Sequence, residues 1–172
     1  DCVDSIDVIH DNGLCYGDVS SNNIVARLEA SRPGVFFFDA DSITTAEHRA
    51  AQPLETPDWD TPAHVDPLAI DRSRVALLVF RLLVMRPRVR PEGDELALLP
   101  VHTGGQLSEA LAETYFAGDA EAFLSLANQL RRLRDAAGER RAMEQALESG
   151  FARVVLRERP ASLGVDDLHL VE

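Results

Sequence analysis

Apolar residues fall at Val3, Ile6, Ile9 and Leu14, a helical spacing that Asn12-Gly13 interrupts, so the chain is expected to open with a helix over residues 1–12. A polar, turn-forming stretch follows, GLCYGDVSSNNIVA, from Gly13 to Ala26. Two short β-prone runs come next, Ile24-Val25-Ala26 and Val35-Phe36-Phe37-Phe38. They are joined through Pro33-Gly34 and predict a small hairpin that stops at Asp39-Ala40-Asp41-Ser42. From Thr44 to Leu68 periodicity is weak and Pro53, Pro57, Pro62 and Pro67 punctuate the chain, the pattern of an extended surface segment. Residues 71–85 are apolar almost all round, which predicts a helix at the centre of the molecule rather than on its surface. A Pro-rich basic turn over 86–93 separates it from a helical tail. The periodicity there predicts helices over 107–116, 119–134 and 136–148, the last stopped by Ser149-Gly150. The fold class is therefore mainly α, an α+β arrangement with one small hairpin. It forms a single unit over 1–150 with an extension over 151–172.

Composition narrows the partners. The net charge of −12 repels phosphates and excludes nucleic acid or an anionic membrane surface as the main partner. All 17 basic residues are Arg and none is Lys, a bias typical of a GC-rich bacterial genome. Cys2 and Cys15 are the only thiols, too few for a disulfide framework, so a reducing, cytoplasmic setting is expected. His10, His48, His64, His102 and His169 lack ligand spacing, which argues against zinc. No secretory leader is legible, and the most apolar run, Val75 to Met85, is half a membrane span with Arg81 inside it. Membrane contact is not expected.

The early loop carries the candidate chemistry. Asp18 and Asn23 stand in a D-x-x-x-x-N spacing, and Asp39 follows at the end of the aromatic strand. Taken singly, each is most simply a turn or capping residue. Together, in this order and followed by Asp71 at the start of an apolar helix, they resemble the catalytic half of a protein kinase. HDNGLCYGD is similar to the approach to the kinase catalytic loop, FFFDADS to the strand leading to the DFG motif, and DRSRVALLVFRLL to the helix that runs through the large lobe. YGDVSSNN, FDADS and TPDWDTP together look similar to a bacterial Ser/Thr kinase-like group. The motifs cover about residues 1–90.

The resemblance implies a kinase-like large lobe, with catalytic loop 13–26, metal-binding strand end 35–42 and activation-type segment 43–68. It implies ATP-dependent phosphoryl transfer to a protein Ser or Thr, with ATP and Mg²⁺ as cofactors. Such transfer is mostly positioning and charge neutralisation. Asp18 would orient the acceptor hydroxyl and receive its proton, while Asn23 and Asp39 offer the oxygen ligands that Mg²⁺ prefers. Ser20 and Val25 would touch the nucleotide, Val25 as the floor of the adenine site. Asp71 is expected to be buried, accepting hydrogen bonds from backbone amides near Tyr16 and Gly17.

The departures from the family are specific. Gly17 stands in place of Arg, Ser20 in place of Lys, Ala40-Asp41 in place of Phe-Gly, and Ala63 or His64 where the APE glutamate belongs. No Gly-rich loop or Lys precedes the catalytic loop, so the small lobe is expected to belong to a longer parent chain and this segment alone to be inactive. Two other functions share parts of the pattern. One is a small-molecule phosphotransferase of the aminoglycoside or choline kinase type, and the other a non-catalytic pseudokinase module.

Overall fold

The computed structural model describes residues 2–27, 34–45, 56–100 and 104–148. Helix α1 (Cys2–Asp11) buries Val3 and Ile6, one turn apart, and leaves Val8 on the solvent side. It ends where the sequence places its stop. Asn12 donates its side-chain amide to the Val8 carbonyl at 2.8 Å, and Gly13 takes φ +71°, a left-handed turn that glycine adopts without strain. The chain then runs through β1 (Leu14–Cys15), β2 (Ile24–Arg27), β3 (Gly34–Phe37) and β4 (Thr44–Thr45), with a 3-10 turn at Ala40–Ser42 between β3 and β4. β2 and β3 form the expected hairpin, with Ile24 opposite Phe37 and Val25 opposite Phe36. β1 and β4 make a second two-stranded antiparallel sheet that the pattern does not announce.

Helix α2 (Pro67–Val84) starts four residues before the expected Asp71. The physical reason lies in the start signal. Asp66 caps the helix by accepting from the Leu68 amide at 3.0 Å, and Pro67 occupies the first turn, where its missing N–H costs nothing. The helix is central, as expected: Val75, Ala76, Leu77 and Phe80 are wholly buried. It ends at Met85, which takes the left-handed conformation at φ 55°.

α2 packs against α3 (Gly104–Ala117), and hydrogen bonds join the two at the C-terminal end of α3. There Ser73 donates to the Thr114 and Tyr115 carbonyls at 3.2 and 2.8 Å, and Arg72 donates to the Gly118 carbonyl at 2.8 Å. The bond to Tyr115 satisfies a carbonyl of the last helical turn, and the Thr114 carbonyl also accepts from the Gly118 amide at 3.0 Å. Leu107, Leu111, Tyr115, Phe123 and Leu126 complete the core with Ile6, Tyr16 and Val19.

The tail differs from its expected form. α4 (Ala120–Glu148) is one helix without a break at Ala136, capped by Asp119, whose carboxylate accepts from the Ala122 amide at 2.8 Å. Chain contacts divide the molecule into two compact units, Asp1–Leu130 and Arg131–Glu172. The first holds the core just described. Within the second, residues 131–148 are helical, and the expected extension over 151–172 lies outside the described residues. No helix among the described residues is long and apolar enough to cross a membrane.

Candidate functional site

The loop after β1 is anchored from below by Asp71, which is wholly buried one turn into α2. Its carboxylate accepts from the Tyr16 amide at 2.6 Å and from the Gly17 amide at 2.9 Å, as expected from the sequence. His10 Nε2 lies 3.2 Å from the same carboxylate, so helix α1, the loop and α2 meet at one side chain. Gly17 is required where it stands. It takes φ +85°, and a Cβ there would lie 2.7 Å from the Ser42 carbonyl oxygen. The loop and the turn after Asp39 are thereby held in direct contact.

Above this anchor the chain folds into a clamp. Asn23 donates its side-chain amide twice to Asp18, to the backbone carbonyl at 3.0 Å and to the carboxylate at 2.8 Å. That commits the amide nitrogen and leaves the Asn23 carbonyl oxygen as its remaining polar atom. The Thr56 hydroxyl donates to the Asp18 carboxylate at 2.9 Å and lies 3.5 Å from the hydroxyl of Ser20, which is wholly buried. Arg74, buried in α2, approaches Asp18 at 3.9 Å and donates to the Gly17 carbonyl. Asp18 is thus a nearly buried carboxylate, 7% exposed, with an amide, a hydroxyl and a guanidinium around it. Such a setting satisfies a charge that burial would otherwise make costly.

Asp39 arrives by the hairpin. The Phe38 amide donates to the Asn23 backbone carbonyl at 2.7 Å, which continues the β2–β3 ladder by one step and leaves Asp39 one residue beyond the partner of Asn23. Asp39 itself is exposed and takes the left-handed conformation, φ 58° and ψ 57°. For a residue other than glycine this is uncommon, and it turns the chain sharply out of the strand. Tyr16 braces the junction, its hydroxyl donating to the Phe38 carbonyl and reaching the Asn23 carbonyl at 3.4 Å. Burial, and then the carboxylates of Asp18, Asp39 and Asp71, push the Tyr16 phenol up to about 12. It therefore remains a donor across the physiological range.

Val25 lies on the outer face of the hairpin, 47% exposed, opposite Phe36 at 50%, and Phe38 follows the same alternation at 55%. The other face turns inward, where the Phe37 ring meets Tyr16 edge-on with centroids 5.2 Å apart. The hairpin thus presents three apolar side chains to solvent beside the Asp18–Asn23 clamp.

The structure therefore brings Asp18, Asn23 and Ser20 together directly, and Asp39 and Val25 through the strand backbone. Among the described residues no group of three or more His, Cys, Asp or Glu side chains is arranged to hold a metal ion.

Sequence reasoning misses Thr56 and Arg74. Thr56 falls in the stretch read as an extended surface segment, of which residues 46–55 lie outside the described residues. That reading also fails for Trp59, which is 5% exposed. Arg74 had a usable signal, since it stands three residues after Asp71 and so on the same face of an apolar helix. Compared with known protein families and with curated proteins, the chain matches none.

Proposed function

We propose that this chain carries the catalytic loop of a protein kinase-like phosphotransferase that moves the γ-phosphoryl group of ATP to a Ser or Thr hydroxyl of a protein. The observation that carries the reading is the pair of hydrogen bonds that the Asn23 side-chain amide donates to Asp18, which sets a carboxylate and an amide side chain on one tight loop. Asp18 orients the acceptor hydroxyl and takes its proton as the oxygen attacks phosphorus. Thr56 and Arg74 hold the Asp18 carboxylate in position for that transfer. Asn23 and Asp39 would hold Mg²⁺, which supplies neutralisation of phosphate charge when bound. The apolar face formed by Val25, Phe36 and Phe38 suits the flat, weakly polar surface of a purine.

The test is radiolabelled ATP with Mg²⁺ and a generic protein acceptor, run on the longest chain that the gene encodes. Asp18→Asn is expected to lower transfer by roughly 10²- to 10⁴-fold. Equal transfer by the Asp18→Asn variant removes Asp18 from the chemistry. Aminoglycoside and choline acceptors in parallel distinguish a small-molecule phosphotransferase, and a folded protein that binds no Mg·ATP would be a pseudokinase.

A further inference from the structure

A second feature opens beside the clamp. A cavity of about 240 Å³ is lined by Ser21, Trp59, Leu78, Arg81, Leu82 and Met85, with Arg86 and Pro87 at one side. The volume is below the roughly 300–1,000 Å³ of a pocket for a whole small-molecule ligand. It exceeds the roughly 150 Å³ that accommodates a benzene ring, so it suits a single large apolar side chain. The floor is fixed rather than adaptable. Arg81 donates to the Asp58 carbonyl at 2.7 Å and to the Val89 carbonyl at 3.1 Å, and its guanidinium lies 4.7 Å over the Trp59 ring. At the rim Leu82 and Met85 are 63% and 84% exposed.

The charge around this cavity runs against that of the chain. The whole protein carries a net charge of −12, yet positions 81–90 hold Arg81, Arg86, Arg88 and Arg90 with no acidic residue among them. The facing segment supplies Asp58 and Asp60, and Asp60 is paired with Arg90 at 3.0 Å. Arg86 and Arg88 are exposed, and neither side chain makes a hydrogen bond or ion pair among the described residues. An apolar socket with a cationic rim recognises an apolar side chain flanked by carboxylates.

Ser21 ties the cavity to the loop. It stands three residues after Asp18, so their Cα atoms are no more than about 11 Å apart, the reach of about three residues of extended peptide. We propose that this cavity is the specificity pocket for the protein acceptor, taking a Phe, Leu or Met side chain that lies within a few residues of the phosphorylated hydroxyl and is flanked by Asp or Glu. The inference rests on the phosphoryl-transfer reading of Asp18.

Trp59 is the only tryptophan of the chain, so its emission reports occupancy without any need for catalysis. The probe is a short acetylated peptide with Phe between two Asp residues and a Ser near by, titrated into the 172-residue protein. A saturable change in emission is expected. Binding should weaken roughly 10- to 100-fold when Ala replaces the Phe or Lys replaces the flanking Asp. Leu82→Glu, at an exposed rim position that leaves the core intact, should abolish binding. Arg86→Glu should shift the preference toward the Lys-flanked peptide.

Equal binding of the Phe and Ala peptides, or of the Asp- and Lys-flanked peptides, overturns the proposal. So does decanoate binding as tightly as the peptide, which would reassign the cavity to fatty acids. Phosphoryl transfer to the same peptides keeps the two readings apart. With transfer measured on the longest chain that the gene encodes, a selective Trp59 response without transfer supports the peptide site and removes the kinase reading. Transfer that is indifferent to the Phe retains the kinase reading and overturns the pocket.

Discussion

Two buried side chains decide how the loop responds to substitution and to pH. Asp71 accepts two backbone amides where water cannot replace it, so removing its carboxylate leaves those amides buried and unpaired. Asp71→Ala is expected to cost about 3–5 kcal/mol in urea unfolding, against about 1 kcal/mol for loss of an exposed helix cap. Tyr16 titrates with the opposite sign from a carboxylate stabilised in its charged form. Its phenol is raised from 10.0 to about 12 in the folded chain, so the folded state retains the proton after the unfolded state has released it. The stabilisation is complete below pH 10 and is lost as the pH rises from 10 to 12. The melting temperature should fall over that window, and in Tyr16→Phe it should fall less steeply from a lower starting value.

At the level of elements, α2 and the residue that follows α3 approach each other closely. Gly118 takes φ +61°, and a Cβ there would lie 2.4 Å from the Cβ of Ala69. Gly118→Ala combines left-handed strain with overpacking against backbone, and a loss of about 2–4 kcal/mol is expected in thermal or urea unfolding. The elements also show which signals reach the sequence. The hairpin and the central helix were legible because aromatic and β-branched runs, and an unbroken apolar stretch, each carry a period of their own. The sheet of β1 and β4 was not, since two residues per strand give no period to read. The start of α2 was read at Asp71 because apolar density begins there, whereas the cap and the proline that begin the helix stand four to five residues earlier. α4 continues past Ala136 because its Ala-, Glu- and Arg-rich sequence favours helix, and an internal Gly138 costs only about 1 kcal/mol.

For the whole molecule, the short spacing of Asp18 and Asn23 gave their neighbourhood, whereas the contact of the loop with Asp71, 55 residues from Tyr16, was expected only through the resemblance to the kinase pattern. The parts of the site that went unread, Thr56 on Asp18 and the socket lined by Trp59, are built from residues distant in sequence, and no local pattern encodes them. The bonds from Asp71 to the loop have a kinetic consequence of the same origin. They close a stretch of 55 residues, an entropic cost of roughly 3.5 kcal/mol that is met only once the intervening chain has collapsed. The loop that carries the candidate chemistry should therefore be among the last parts of the protein to assemble, after α2 and α3 have found each other. The amide protons of Tyr16 and Gly17 would record this. In deuterium oxide they should exchange only when the whole unit opens, as slowly as those of Leu77 or Phe80, although they belong to a loop. Exchange at the rate of an exposed turn would mean that the loop breathes independently of the helix that anchors it.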